Sequence, residues 1–125
     1  MSKPIVQSFR DLQVWQRSME LTIAIYHLTG GFPREEIFGL TSQLRRSSVS
    51  IPSNIAEGQG RSGTREFKQF LGIARGSNCE LQTQLAIARA LGLGDSKLLD
   101  KAESLSHEVG KMIFTLLKML KTEVR

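Results

Sequence analysis

The sequence predicts an all-α fold: an antiparallel up-and-down four-helix bundle formed by one domain over residues 1–125. Three observations predict it. Leu, Ile and Ala dominate an apolar fraction of 40%, while aromatic residues supply only 6%; that balance favours helices over sheet. Apolar residues recur at spacings of three and four along four successive stretches. Short breaks bearing Gly or Pro separate the stretches, and short connections make consecutive helices antiparallel neighbours. A chain of 125 residues is the size of one domain and buries a core without disulfides or metals.

Helices are expected at roughly 11–29, 34–59, 64–92 and 95–121. Ahead of the first, residues 1–10 read as a loose arm, with Asp11 or Ser8 as the cap. In the first helix Leu12, Trp15, Met19, Thr22, Ile23 and Tyr26 define one apolar face, and Val14, Leu21, Ile25 and Leu28 a second. A helix apolar on two sides is packed on two sides, and in a small chain the second side suggests another subunit. Thr29–Pro33 ends it with a Gly pair and a Pro.

The second helix is expected from Arg34–Glu36, with acids in its first turn. Ile37, Leu40, Leu44, Ser48, Ile51 and Ile55 form a bundle-like seam. Pro52 lies inside it and frees the Ser48 carbonyl, so a kink is expected, with the hydroxyls of Ser48, Ser50 and Ser53 available to freed backbone groups. Gln43, Ser47, Ser50 and Asn54 form a polar stripe, and small polar residues in a row indicate a close helix–helix contact ahead of a ligand site.

Gly58–Gly63 is a corner, after which Thr64 or Ser62 caps the third helix. Its main face is Phe67, Phe70, Leu71, Ala74, Asn78, Leu81, Leu85 and Ala88; Asn78 there requires a partner. A second ridge, Gly72, Gly76, Cys79, Thr83, Ala86 and Ala90, is small enough for close approach of another helix, in the chain or in a neighbouring subunit. Asp95 or Ser96 caps the fourth helix, whose face is Leu98, Ala102, Leu105, Val109, Met112, Ile113, Leu116 and Leu120.

Composition and motifs exclude several functions. Gly58-x-Gly60-x-x-Gly63 has the letters of a dinucleotide-binding loop, but a helix precedes it where that loop needs a strand. His27 and His107 are far apart and Cys79 is the single cysteine, so no metal, cofactor or nucleophilic site is expected and the chain is read as non-enzymatic. Cys79 reads as an inert buried thiol. One cysteine also makes a reducing cytoplasm the expected location. The opening MSKPIVQSFRDLQ lacks an apolar core with a small-residue cleavage site, so no signal peptide is expected, and no stretch is apolar enough to span a membrane.

The net charge of +5 permits an anionic partner. Arg61, Arg65, Lys68 and Arg75 cluster in sequence, and Arg45 and Arg46 add two more; these six are the candidate phosphate contacts. The bland alternative is a solvated face partly neutralised by Glu57 and Glu66. Few aromatics read as exposed, which argues against base stacking.

Three motifs, Phe9–Gln16 (FRDLxVWQ), Leu44–Gly58 (LRRSSxSIPxNIAEG) and Glu66–Leu81 (EFxxFLxIAxGSxxEL), where x is any residue, together resemble the bacterial family associated with intervening sequences of large-subunit (23S) ribosomal RNA genes, over about residues 9–120. The resemblance implies a four-helix bundle assembled as a homo-oligomeric ring, in known cases a pentamer. It also implies kinship with accessory proteins of diversity-generating retroelements, which bind nucleic acid. It supplies no catalytic residues. The expected function is a basic ring that binds RNA or DNA. The competing expectation is a protein-interaction scaffold with no nucleic-acid role.

Overall fold

The computed structural model describes residues 8–121 and is helical throughout its regular elements. Four helices follow one another: α1 (Gln13–Thr29), α2 (Leu40–Gln59), α3 (Thr64–Ala90) and α4 (Ser96–Lys121). Each packs on its neighbours in the order α1–α2–α3–α4–α1, the square arrangement of a four-helix bundle. The core is a single aliphatic cluster with Leu21, Ile25 and Leu28 from α1, Leu44, Ile51 and Ile55 from α2, Leu71, Leu81 and Leu85 from α3, and Val109 and Ile113 from α4. No helix among the described residues is long and apolar enough to cross a membrane.

The loose arm expected over residues 1–10 falls partly outside the described residues. Its described end is ordered: Phe9–Asp11 forms a 3-10 turn closed by a reciprocal capping box between Ser8 and Asp11. Ser8 therefore caps this turn, and Leu12 opens α1 without a side-chain cap. Phe9 meets Trp15 edge-on, with ring centroids 5.2 Å apart.

The two faces expected of α1 differ in weight. Val14, Ser18, Leu21, Ala24, Ile25 and Leu28 are buried, whereas Ile23 and Tyr26 lie open to solvent. Small Ser18 and Ala24 extend the buried face, which an apolar count alone passes over.

The second helix starts later than the sequence suggests. Arg34–Glu36 forms only a 3-10 turn, and Gly39 takes the N-cap position of α2. The Glu36 carboxylate folds back to accept from the Leu40 backbone N–H at 3.1 Å, ending one turn and beginning the next. Ile37, expected in the seam, is consequently 49% exposed. Leu40, Leu44, Ser48, Ile51 and Ile55 form the seam as expected.

α2 runs through Pro52 as one helix. The Ser48 carbonyl accepts from the Thr22 hydroxyl of α1 at 2.9 Å. Two of the three neighbouring serines expected to do this are otherwise engaged: Ser48 Oγ donates to Arg45 O, and Ser50 Oγ pairs with Ser77 Oγ.

At the corner Gly58 is buried against α3; a Cβ there would stand 2.7 Å from Phe70 Cβ. α3 begins at Gly63 with no side-chain cap, so neither Thr64 nor Ser62 plays that part. The main face of α3 is as expected, and Asn78 has its partner. Ser106 Oγ donates to Asn78 Oδ1 at 2.7 Å, and Asn78 Nδ2 donates to Ser106 O at 3.0 Å. Gly92 and Gly94 take positive φ at the α3–α4 turn, where Asp95 Oδ1 accepts from Lys97 and Leu98 N–H groups to cap α4.

The small ridge of α3 meets no helix of its own chain. Gly72 and Gly76 have open space where a Cβ would stand. Cys79 on the same ridge is exposed, which corrects the expected buried thiol.

Candidate nucleic-acid interface

The polar stripe of α2 is chiefly a helix–helix contact. Ser47 Oγ donates to Gln84 Oε1 at 2.7 Å, Ser50 Oγ and Ser77 Oγ are 2.8 Å apart, and Asn54 Nδ2 donates back to Ser50 O at 2.8 Å. Small hydroxyl side chains let α2 and α3 approach closely while pairing their own polar groups. Together with Ile51, Ile55 and Gly58, this gives most of the Leu44–Gly58 motif a packing role.

The six candidate cations fall in different places. Arg45 turns toward α1: its guanidinium lies 4.5 Å from the centre of the Tyr26 ring, and its Nε donates to Thr29 Oγ1 at 2.9 Å. Arg46 points the other way, into a groove between α2 and α3. Arg61 is at the α2–α3 corner, paired with Glu57 at 2.7 Å and 5.1 Å from the centre of the Phe70 ring. Arg65, Lys68 and Arg75 follow along α3 at positions i, i+3 and i+10, about 15 Å of helix at about 1.5 Å per residue. Arg65 and Arg75 are exposed and Lys68 half-buried. Arg61, Arg65, Lys68 and Arg75 thus follow one another from the α2–α3 corner to near the middle of α3. Arg46 is about 22 Å up α2 from Arg61 by the same rise, and Arg45 is on another face.

Acids neutralise other cations of the chain. Arg17 bridges Glu20 and Glu108, and Arg89 joins α3 to α4 through Glu103 and Asp100. Donation to Glu103, then to Asp100, raises the Arg89 pKa above its ordinary value, so this guanidinium remains charged. Among the ion pairs of the described residues none includes Arg46, Arg65, Lys68 or Arg75.

Two surface depressions lie apart from these cations. One, of about 440 Å³, is apolar and lies between the start of α1 and the end of α4, with Leu12, Val14, Met112 and Leu116 in its wall. The other, of about 260 Å³, lies beside Arg45 at the α1–α2 turn. Among the described residues no three His, Cys, Asp or Glu side chains converge as a metal site would require.

One feature went unread in the sequence. Phe38 is 98% exposed on the turn before α2, at the rim of the groove that holds Arg46. A helix drawn from residue 34 gives Phe38 no such position. The signal available was Gly39, which permits the break that throws the ring outward.

The profile of the 23S rRNA-intervening sequence protein family matches residues 10–115. The chain belongs to this family. Among solved structures it is similar to a protein of unknown function from the S23 ribosomal protein family of Bacteroides thetaiotaomicron VPI-5482. The two share 22% identity, with a TM-score of 0.75 over 84% of this chain and 98% of that one, a likeness of fold. No curated protein matches. Within the motifs that carry the family resemblance, Ser47, Ser50 and Ser77 supply the α2–α3 hydroxyl contacts and Gly58 the close approach of α2 to α3.

Proposed function

We propose that the protein is a non-enzymatic homo-oligomeric ring, pentameric as the family resemblance implies, that binds nucleic acid through the outer surface of α3 and the α2–α3 corner. The observation that carries this reading is the line of Arg65, Lys68 and Arg75 along one helix, outside the ion pairs of the described residues. Arg61 joins them, because its exposed pair with Glu57 contributes little and yields readily to a phosphate. A ring multiplies the +5 of each chain and makes several phosphate contacts simultaneous.

Fluorescence anisotropy of a labelled RNA hairpin and a DNA duplex at about 50 and 200 mM salt tests the proposal. Each phosphate contact contributes about 0.9 to the slope of log affinity against log salt on a duplex. Replacing Arg61, Arg65 and Lys68 with Gln is expected to lower that slope by about 2–3 per engaged subunit. An unchanged affinity and slope would remove these residues from the interface.

A second reading, a protein-interaction scaffold, draws on the same outer face of α3, where Ile73 and Ile87 are exposed beside Gly72 and Gly76. Purification from the native cell separates the two. Nuclease-sensitive nucleic acid supports the first, and a stoichiometric protein that survives nuclease supports the second.

A further inference from the structure

The groove between the N-terminal half of α2 and the C-terminal half of α3 has about 390 Å³, within the about 300–1,000 Å³ range of small-ligand sites. It is polar where the helix contact closes and aromatic at its rim. Gln84 forms part of its wall and is 5% exposed. Its Oε1 accepts from Ser47, but its Nε2 has no hydrogen-bond partner among the described residues. That nitrogen is not sealed in: among the described residues Thr41 Oγ1 is the one buried side-chain polar atom left unpaired. Nε2 therefore opens on the groove as an unused donor. Arg46 and Glu80 line the same groove, and neither joins an ion pair of the described residues. Phe38 lines the rim of the same groove with its ring open to solvent.

We infer that this groove holds one unpaired nucleotide of a single strand: the base stacks on Phe38, Gln84 and Glu80 hydrogen-bond its edge, and Arg46 contacts the adjoining phosphate. The inference deepens the nucleic-acid reading and rests on it. Each group suits one part of the ligand. An exposed ring is a platform for any base. An amide N–H donates to a ring nitrogen or carbonyl, and a carboxylate accepts from a ring N–H, as on uracil or thymine, or from an exocyclic amine. A guanidinium pairs with phosphate through two parallel N–H groups. A paired base in a duplex offers no free π-face, so the groove selects unpaired segments such as loops and ends.

The test uses the full-length protein and fluorescein-labelled oligouridylate and oligothymidylate of about 12 nucleotides, with a DNA duplex and an abasic strand of equal length as comparators. Phe38→Ser is expected to weaken both single strands about 5- to 140-fold. This is the 1–3 kcal/mol of a stacked base converted at about 1.4 kcal/mol per tenfold. Phe38→Leu, which keeps apolar bulk and loses the π-face, is expected to weaken them nearly as much. The wild type should bind the abasic strand more weakly than Phe38→Ser binds the intact one, because the edge contacts of Gln84 and Glu80 are lost with the base, and the variant should lose nothing further on it. Arg46→Gln should lower the single-strand salt slope by about 0.7.

Equal losses on duplex and abasic strands would overturn the inference. So would a changed oligomer mass for Phe38→Ser, which would place the ring in a contact between copies. Release of a co-purified protein by Phe38→Ser, without loss of oligonucleotide binding, would overturn it too. If Phe38→Ser changes nothing while duplex binding still depends on Arg61, Arg65 and Lys68, the groove assignment fails and the broader reading stands. If no nucleic acid binds at about 50 mM salt, both fail.

Discussion

Gly58 has no room for a side chain. A Cβ would stand 2.7 Å from Phe70 Cβ and 3.1 Å from Phe67 Cδ1, where α2 ends against the start of α3. The nearest atom is the Cβ of a packed residue, so the helices must separate to accept a methyl group. Gly58→Ala is expected to destabilise the fold by about 1–3 kcal/mol, read as a lower urea midpoint at unchanged slope. Asn78 poses the opposite problem, a polar group at 3% exposure whose donor and acceptor are both used by Ser106. Asn78→Ala should cost about 1–3 kcal/mol, because it strands the Ser106 hydroxyl and leaves the Ser106 carbonyl only its bond within α4. Once Asn78 is gone, Ser106→Ala should cost less than it does alone, and a double-mutant cycle measures the difference. Asn78 was legible in the sequence because an amide on an apolar face demands a partner. The identity of that partner was not, since Ser106 is 28 residues away and serine fits anywhere on a helix.

At the scale of elements, Pro52 lies at the crossing of α1 and α2. Its missing N–H leaves the Ser48 carbonyl to be satisfied from elsewhere, and the Thr22 hydroxyl of α1 supplies the bond, its one proton shared between Ser48 O and Ser18 O. Thr22→Val keeps the shape and removes the donor, with an expected cost of about 1 kcal/mol in chemical denaturation. In a Pro52→Ala background the residue-52 N–H returns to Ser48 O, and the same Thr22→Val change should then cost less. Equal costs in both backgrounds would mean that the Thr22 bond does not answer to the proline. Sequence pattern located the freed carbonyl but assigned it to nearby serines, because local reasoning sees only its own helix. The start of α2 was misplaced for a related reason. Arg34–Glu36 has helix-start composition, yet Glu36 satisfies the Leu40 N–H and closes the turn, leaving Ile37 and Phe38 outside. The periodicity of α3 and α4 carried no such competing bond, and most of their core faces was read correctly; buried Leu99, Gln84 and Ser106 were missed, the last two because a polar side chain gives no apolar signal.

For the whole molecule the informative surface is the one the bundle does not use. The seam residues fill the core, yet α3 keeps Gly72 and Gly76 on a solvent-facing ridge, and glycine within a helix costs about 1 kcal/mol relative to alanine. Among the described residues nothing comes within 4 Å of a Cβ placed at either glycine, so the described subunit gives no packing return for that cost. In a ring of copies the ridge would admit a neighbouring helix at short range, with exposed Ile73 and Ile87 beside it. The sequence showed the ridge but not its direction, because small residues at helical spacing look the same whether they face a helix of the same chain or of another. Substitution separates the two. In a lone bundle Gly72→Ala should stabilise by about 0.5–1 kcal/mol, and Gly72→Leu should be tolerated, since open space surrounds both. In the proposed ring, Gly72→Leu or Gly76→Leu should lower the mass found by light scattering while the dissociated chain keeps its helical circular dichroism. Unchanged mass together with a raised melting temperature would show that the ridge faces water. The cations alongside it make the same variants informative about binding. A dissociated subunit still carries Arg65, Lys68 and Arg75, so its salt slope should fall toward the value set by one chain's contacts.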